Sequence, residues 1–218
     1  QKLIEEAPSW ALSDALRREM RVHIAWGLNG ITLQVSGKPM ASLNGEYRKE
    51  MSDEEIHALV KHARGAEKKV LAVANGDSSV SVSLSAGVSG ILEGRRIGAE
   101  NLKAMAAQGV YYIPCLVATE GTSFEEEHKA VVAEAIRQGV TIGVGTELLP
   151  AEPMDGTVAT IREMELLTQC GMSPLQALQA ATGTAAGISG SKAGILAAGK
   201  DPDFIAVKGN PDEDIAAM

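Results

Sequence analysis

Only two cysteines occur in the 218 residues, Cys115 and Cys170, in separate apolar segments and without CxxC spacing. This excludes a disulfide framework and a thiolate zinc site, and it fits buried free thiols in a reducing compartment. No apolar run approaches the roughly 20 residues needed to span a bilayer, and the N-terminus, QKLIEEAPSW, lacks the basic-then-apolar pattern of a secretory signal. A cytoplasmic location is expected by elimination. Positive charge is also in deficit: 20 Lys and Arg stand against 28 Asp and Glu, a formal net charge of -8. Nucleic-acid surfaces and polybasic membrane patches both need clustered Lys and Arg, so neither partner is expected. Phosphate-binding signatures are missing too. Gly143-Val-Gly145 and the stretch from Gly183 to Gly194 have neither the GxxxxGK[ST] order nor a GxGxxG opening a helix after a first strand. The chain has no initiator Met, from which a processed chain or a fragment is expected.

With 45% hydrophobic residues, the chain can bury one substantial core. Short β-rich runs near 30–35, 69–74, 88–92, 110–116 and 140–146 alternate with segments of 3.6-residue apolar spacing, which predicts an α/β fold with a parallel sheet covered by helices. Ser52-Asp-Glu-Glu55 is a capping box opening a helix whose apolar face holds Ile56, Leu59, Val60 and Ala63. Further helices are predicted from Phe124 to Gln138, from Thr157 to Cys170, and from Leu175 to Ala181 after Ser173-Pro174. Ser78, Ser79, Ser81, Ser83 and Ser85 weaken the helix they fall on, since serine competes for backbone hydrogen bonds. Ile195 to Val207 reads as a turn and a short strand. The expected organisation is one main region over 1–190 and a tail over 191–218.

Six phrases, GITLQV, VLAVANG, SGILEG, YYIPCL, TIGVGT and GKDPDFIAVKGNP, follow one another along the chain. In that order they resemble the later landmarks of the metal-dependent amidohydrolase superfamily, most closely its imidazolonepropionase-like and prolidase-like branch. That superfamily carries its metal site on the C-terminal ends of the strands of a (β/α)8 barrel. The resemblance implies a TIM-barrel type fold, partial because only strands 4 to 8 have counterparts here, with a short β tail related to the family's small β-sandwich. It also implies zinc or another divalent metal and the hydrolysis of carbon–nitrogen bonds in small amides or dipeptides.

The ligand positions depart from the family pattern. The bridging Lys position falls on Thr32, which cannot form a carbamate. Val73 and Asn75 stand where the first and second His of the next strand would be, Glu93 replaces the following His, and Glu147 replaces the Asp. The HxH pair of strand 1 has no counterpart. His23, His57, His62 and His128 do not compensate: His57 and His62 are five apart on one predicted helix, not an i, i+4 zinc pair. No metal cofactor is therefore expected. Glu93 and Glu147 are the candidate catalytic residues, as a carboxylate pair at the barrel mouth able to act as acid and base or to hold a hard cation. Arg95 and Arg96 are candidate partners for them, which would make the cluster a salt-bridged rim. Asp155 is a candidate substrate-binding residue and equally a helix cap. Cys115 is expected to pack, with no electropositive neighbour to activate it; Thr32 and Ser36 lack a base.

Three functions fit these residues. The first is a degenerate, fragmentary or engineered amidohydrolase with weak or no activity. The second is an active hydrolase on a rearranged carboxylate site taking a small-molecule substrate. The third is a non-enzymatic binding or assembly module, since a partial barrel leaves exposed edges and should form a homo-oligomer or accept a complementary barrel fragment.

Overall fold

The computed structural model of the protein describes residues 9–37, 47–148 and 156–218. A first helix, α1 (Ser9–Ala25), precedes four strands and the helices between them: β1 (Gly30–Gln34), α2 (Asp53–Gly65), β2 (Lys69–Val73), α3 (Asp77–Ala86), β3 (Gly90–Leu92), α4 (Ala99–Gln108) and β4 (Tyr111–Ile113). Ser52 sets the start of α2 as its spacing predicts. Its hydroxyl accepts from the Glu55 amide at 3.2 Å, and the Glu55 carboxylate accepts from the Ser52 amide at 2.8 Å, so two orphan donors of the first turn are satisfied at once. In α3 Ser79 and Ser83 turn inward, and Ser83 donates to the Ser79 carbonyl at 2.7 Å.

All strand pairs are parallel, in the order β1-β2-β3-β4, and each crossover runs through a helix as parallel pairing requires. The fifth run, expected over 140–146, contributes a single bridge. The Tyr112 amide donates to the Thr141 carbonyl at 2.9 Å, and the Gly143 amide donates to the Tyr112 carbonyl at 2.8 Å. Gly143 and Gly145 interrupt it, and glycine within a strand weakens pairing. α5 (Glu125–Arg137) precedes this run, and α6 (Gly156–Gln169) and α7 (Pro174–Gln179) follow it; a π-helical turn (Ala180–Thr184) joins α7 to α8 (Ala185–Ser189).

The two faces of the sheet differ. Leu33, Val70, Ala72, Ile91 and Tyr112 are buried in one core together with Ile56, Leu59, Leu102, Met105 and Val132 from the helices. The alternation of strand side chains puts the next residue of each strand on the opposite face. There Thr32 and Gln34 are exposed, and Leu71, Leu92, Ile113 and Val144 line a cavity of about 770 Å³ that Phe204 and Ile205 also border. This is the lumen side of a barrel wall with one side open.

The strand expected within 195–207 does not form. Phe204 and Ile205 are 77% and 74% exposed, and a strand needs a ladder partner for its amides and carbonyls; among the described residues none lies beside it. Among the described residues no helix is long and apolar enough to cross a membrane.

Candidate functional site

Side chains that leave the C-terminal ends of neighbouring parallel strands converge, and the residues following β2, β3 and the fifth run do so here. Asn75 follows β2, Glu93 and Arg95 follow β3, and Glu147 follows the fifth run. Ser36, just beyond β1, fixes Asn75 through its backbone: the Asn75 amide donates to Ser36 Oγ at 2.6 Å and Ser36 Oγ donates to the Asn75 carbonyl at 3.0 Å. Both ends of the Asn75 side chain are then used. Its Nδ2 donates to Glu93 Oε2 at 2.7 Å, and its Oδ1 accepts from the Arg95 amide at 3.0 Å.

Glu93 and Arg95 are 3% and 7% exposed. A terminal guanidinium nitrogen of Arg95 lies 3.1 Å from Glu93 Oε2 and 3.7 Å from Glu147 Oε2. The two candidate acids thus meet through one cation. Among the described residues Arg95 Nε is buried without an acceptor, and such a donor costs about 1–3 kcal/mol, so hydrogen bonding alone does not explain why the guanidinium sits there. The carboxylates do. Arg96, the other candidate partner, turns away to pair with Glu127 at 2.7 Å.

Backbone strain marks the same place. Glu93, Cys115 and Glu147 have φ of 63°, 56° and 57°, in the left-handed region that costs a non-glycine residue on the order of 1–3 kcal/mol. Each follows a different one of three adjacent strand ends, where such strain is commonly stored for function. Cys115 itself packs, as expected. The residue is 3% exposed, and burial first, then the nearby Glu163, pushes the thiol pKa up.

Two further residues support this cluster, and sequence spacing pointed to neither. His128, on α5, is fully buried. Its Nε2 lies 2.9 Å from the Glu93 carbonyl and 3.3 Å from the Tyr112 hydroxyl, and its Nδ1 lies 3.0 Å from Thr119 Oγ1. A carbonyl only accepts, which assigns the proton to Nε2. Burial lowers the His128 pKa to about 4. Glu163, on α6, accepts from the Leu116 and Val117 amides at 2.9 and 2.8 Å, which fixes the turn after β4; burial raises its pKa to about 7. The contacts of His128 with Glu93 and of Glu163 with Leu116 span 35 and 47 residues, beyond the reach of local pattern. Asp155 lies outside the described residues.

The divalent metal implied by the resemblance does not fit this donor set. Thr32 is exposed on β1, Val73 has no lone pair, Asn75 Oδ1 already accepts from the Arg95 amide, and both nitrogens of His128 are used. Among the described residues no group of three or more His, Cys, Asp or Glu is placed to hold a metal ion, whereas zinc takes three or four protein ligands. Glu93 and Glu147 remain, and a guanidinium already stands against both.

A model of the amidohydrolase family matches residues 34–218. Ochratoxinase from Aspergillus niger is 28% identical over 223 aligned positions, covering 93% of this chain and 45% of the relative; the chain spans about half the length of the curated relatives it matches. A solved A. niger ochratoxinase superposes with a TM-score of 0.81 at 26% identity, over 94% of this chain and 50% of the other. A Xaa-Pro dipeptidase with methionine bound in its active site gives a TM-score of 0.78 at 25% identity, over 97% and 55% of the two chains. The one-sided sheet is accordingly a partial barrel of the TIM type.

Proposed function

The chain belongs to the amidohydrolase family, and from that premise we propose that it is a degenerate member, keeping the scaffold for carbon–nitrogen bond hydrolysis with weak or no activity of its own. One observation carries this reading: the two carboxylates left at ligand positions are bridged by Arg95. A carboxylate already held by a guanidinium is a poor ligand, because a cation occupies the place beside it that a metal would take and repels a second one. The relatives suggest the substrates to test. With Xaa-Pro dipeptides and ochratoxin, in buffer containing zinc, turnover by the protein is expected to match that of Glu147→Gln. Turnover that Glu147→Gln abolishes while its thermal midpoint stays put would instead favour the active carboxylate site, with Glu93, Glu147 and Asp155 serving a small-molecule substrate.

The open lumen favours a second element of the same reading, a partner. Thr32 and Gln34 on β1 and the apolar side chains of Leu196, Phe204 and Ile205 are exposed, a surface that a closed barrel covers. A complementary barrel fragment or a second copy of the chain would bury it. Light scattering across a concentration series is expected to show a mass above that of one chain; a single-chain mass throughout counts against self-association. The two free, buried cysteines are consistent with a cytoplasmic setting.

A further inference from the structure

We propose that the Arg95 guanidinium is the resident cation of this site: it fills, from within the chain, the place between Glu93 and Glu147 that a divalent ion would need. This rests on the reading above and adds what took the metal's place.

Three features support it. Arg95 follows Glu93 by two residues, and its own amide is held by Asn75 Oδ1 while Asn75 Nδ2 holds Glu93, so acid and cation are fixed by one amide. The Arg95 side chain is more than nine-tenths buried, although long basic side chains ordinarily carry their charged heads out to water. Its Nε has no acceptor among the described residues, while its terminal nitrogen lies against both acids. The donors around that nitrogen are carboxylate oxygens from two strand ends, the kind of oxygen set that suits a hard divalent cation. A cation is admitted only if the guanidinium leaves, because two cations in one buried place repel.

The inference is tested with Arg95→Met, a variant of similar length without charge, and Mn²⁺ as the probe. The unaltered protein is expected to show no Mn²⁺-dependent change in thermal midpoint. In ion-free buffer Arg95→Met should melt roughly 10 °C lower, since breaking a buried pair strands its partner. Millimolar Mn²⁺ should restore at least half of that loss, and the restoration should vanish when Glu147→Gln is added. Equal Mn²⁺ responses in the unaltered protein and Arg95→Met would overturn the proposal, as would an Arg95→Met indifferent to Mn²⁺. Should Arg95→Met fail to fold, the double variant Glu93→Gln/Arg95→Met decides. Glu147, whose side chain is 36% exposed, keeps its access to water, and with no buried carboxylate stranded the double variant is expected to fold and to ignore Mn²⁺; its failure to fold would count against the proposal. Turnover in the unaltered protein would end the functional reading above; an inactive protein with a Mn²⁺-blind Arg95→Met ends only this one.

Discussion

Glu163→Ala is expected to lower the unfolding free energy by about 2–6 kcal/mol, because each of the two amides it leaves bare costs about 1–3 kcal/mol when buried. The Leu116 and Val117 amides have the Glu163 carboxylate as acceptor, and α6 has no other polar side chain that is fully buried. Glu163 also gives the fold a dependence on pH. Its pKa rises from 4.5 to about 7, chiefly through burial and against the pull of the two amides. The folded state therefore holds this proton more tightly than the unfolded chain does. Its contribution is complete below pH 4.5 and is lost as the pH climbs through 7, a decline of about 3 kcal/mol. Glu163→Gln keeps one acceptor and cannot ionise, so it should cost less than Glu163→Ala and erase that decline.

His128→Ala carries the second large effect, an expected loss of about 3–5 kcal/mol from the emptied volume and the bare Glu93 carbonyl. Its pH dependence runs the other way. Burial takes the His128 pKa from 6.5 to about 4, so the folded state resists the proton that the unfolded chain accepts. Stability from this group is complete above pH 6.5 and is lost as the pH falls through 4. Between pH 4.5 and 6.5 the unfolded chain has lost the Glu163 proton and gained the His128 proton, and the folded protein has done neither. The two slopes cancel there. Urea denaturation across this window should find little net slope from these groups in the unaltered protein. Glu163→Gln should then show stability rising with pH, and His128→Ala stability falling with pH, each by about 1.4 kcal/mol per pH unit at most. Parallel profiles in all three proteins would contradict the assigned environments of both residues.

Much of this fold is visible in local pattern, because its elements start and stop on local chemistry. The Ser52–Glu55 box, the Ser173-Pro174 cap and the glycine after α5 mark helix ends whatever the rest of the chain does. The four parallel strands follow from short apolar runs between those helices. Local pattern fails where structure depends on a distant partner. The fifth run needs more ladder than its glycines allow, and the tail near Phe204 has the residues of a strand without a neighbour to pair with. At the site, Glu93 and Glu147 could be picked out by their place in the phrases, and Arg95 by its closeness to Glu93. That Arg95 turns inward while Arg96 turns out to Glu127 is set by the strained backbone at Glu93 and by Asn75. His128 and Glu163 reach the strand ends from helices whose sequence offers no sign of it. One buried His or Glu on an amphipathic face looks like any other until the helix is docked.

Which cation neutralises Glu93 and Glu147 is tested most directly by the metal content of the protein purified without chelator. Mass spectrometry of the intact native chain, with elemental analysis of the same sample, is expected to find divalent metal far below one ion per chain. Zinc or another divalent metal at one ion or more per chain, retained through dialysis and lost in Glu147→Gln, would contradict it.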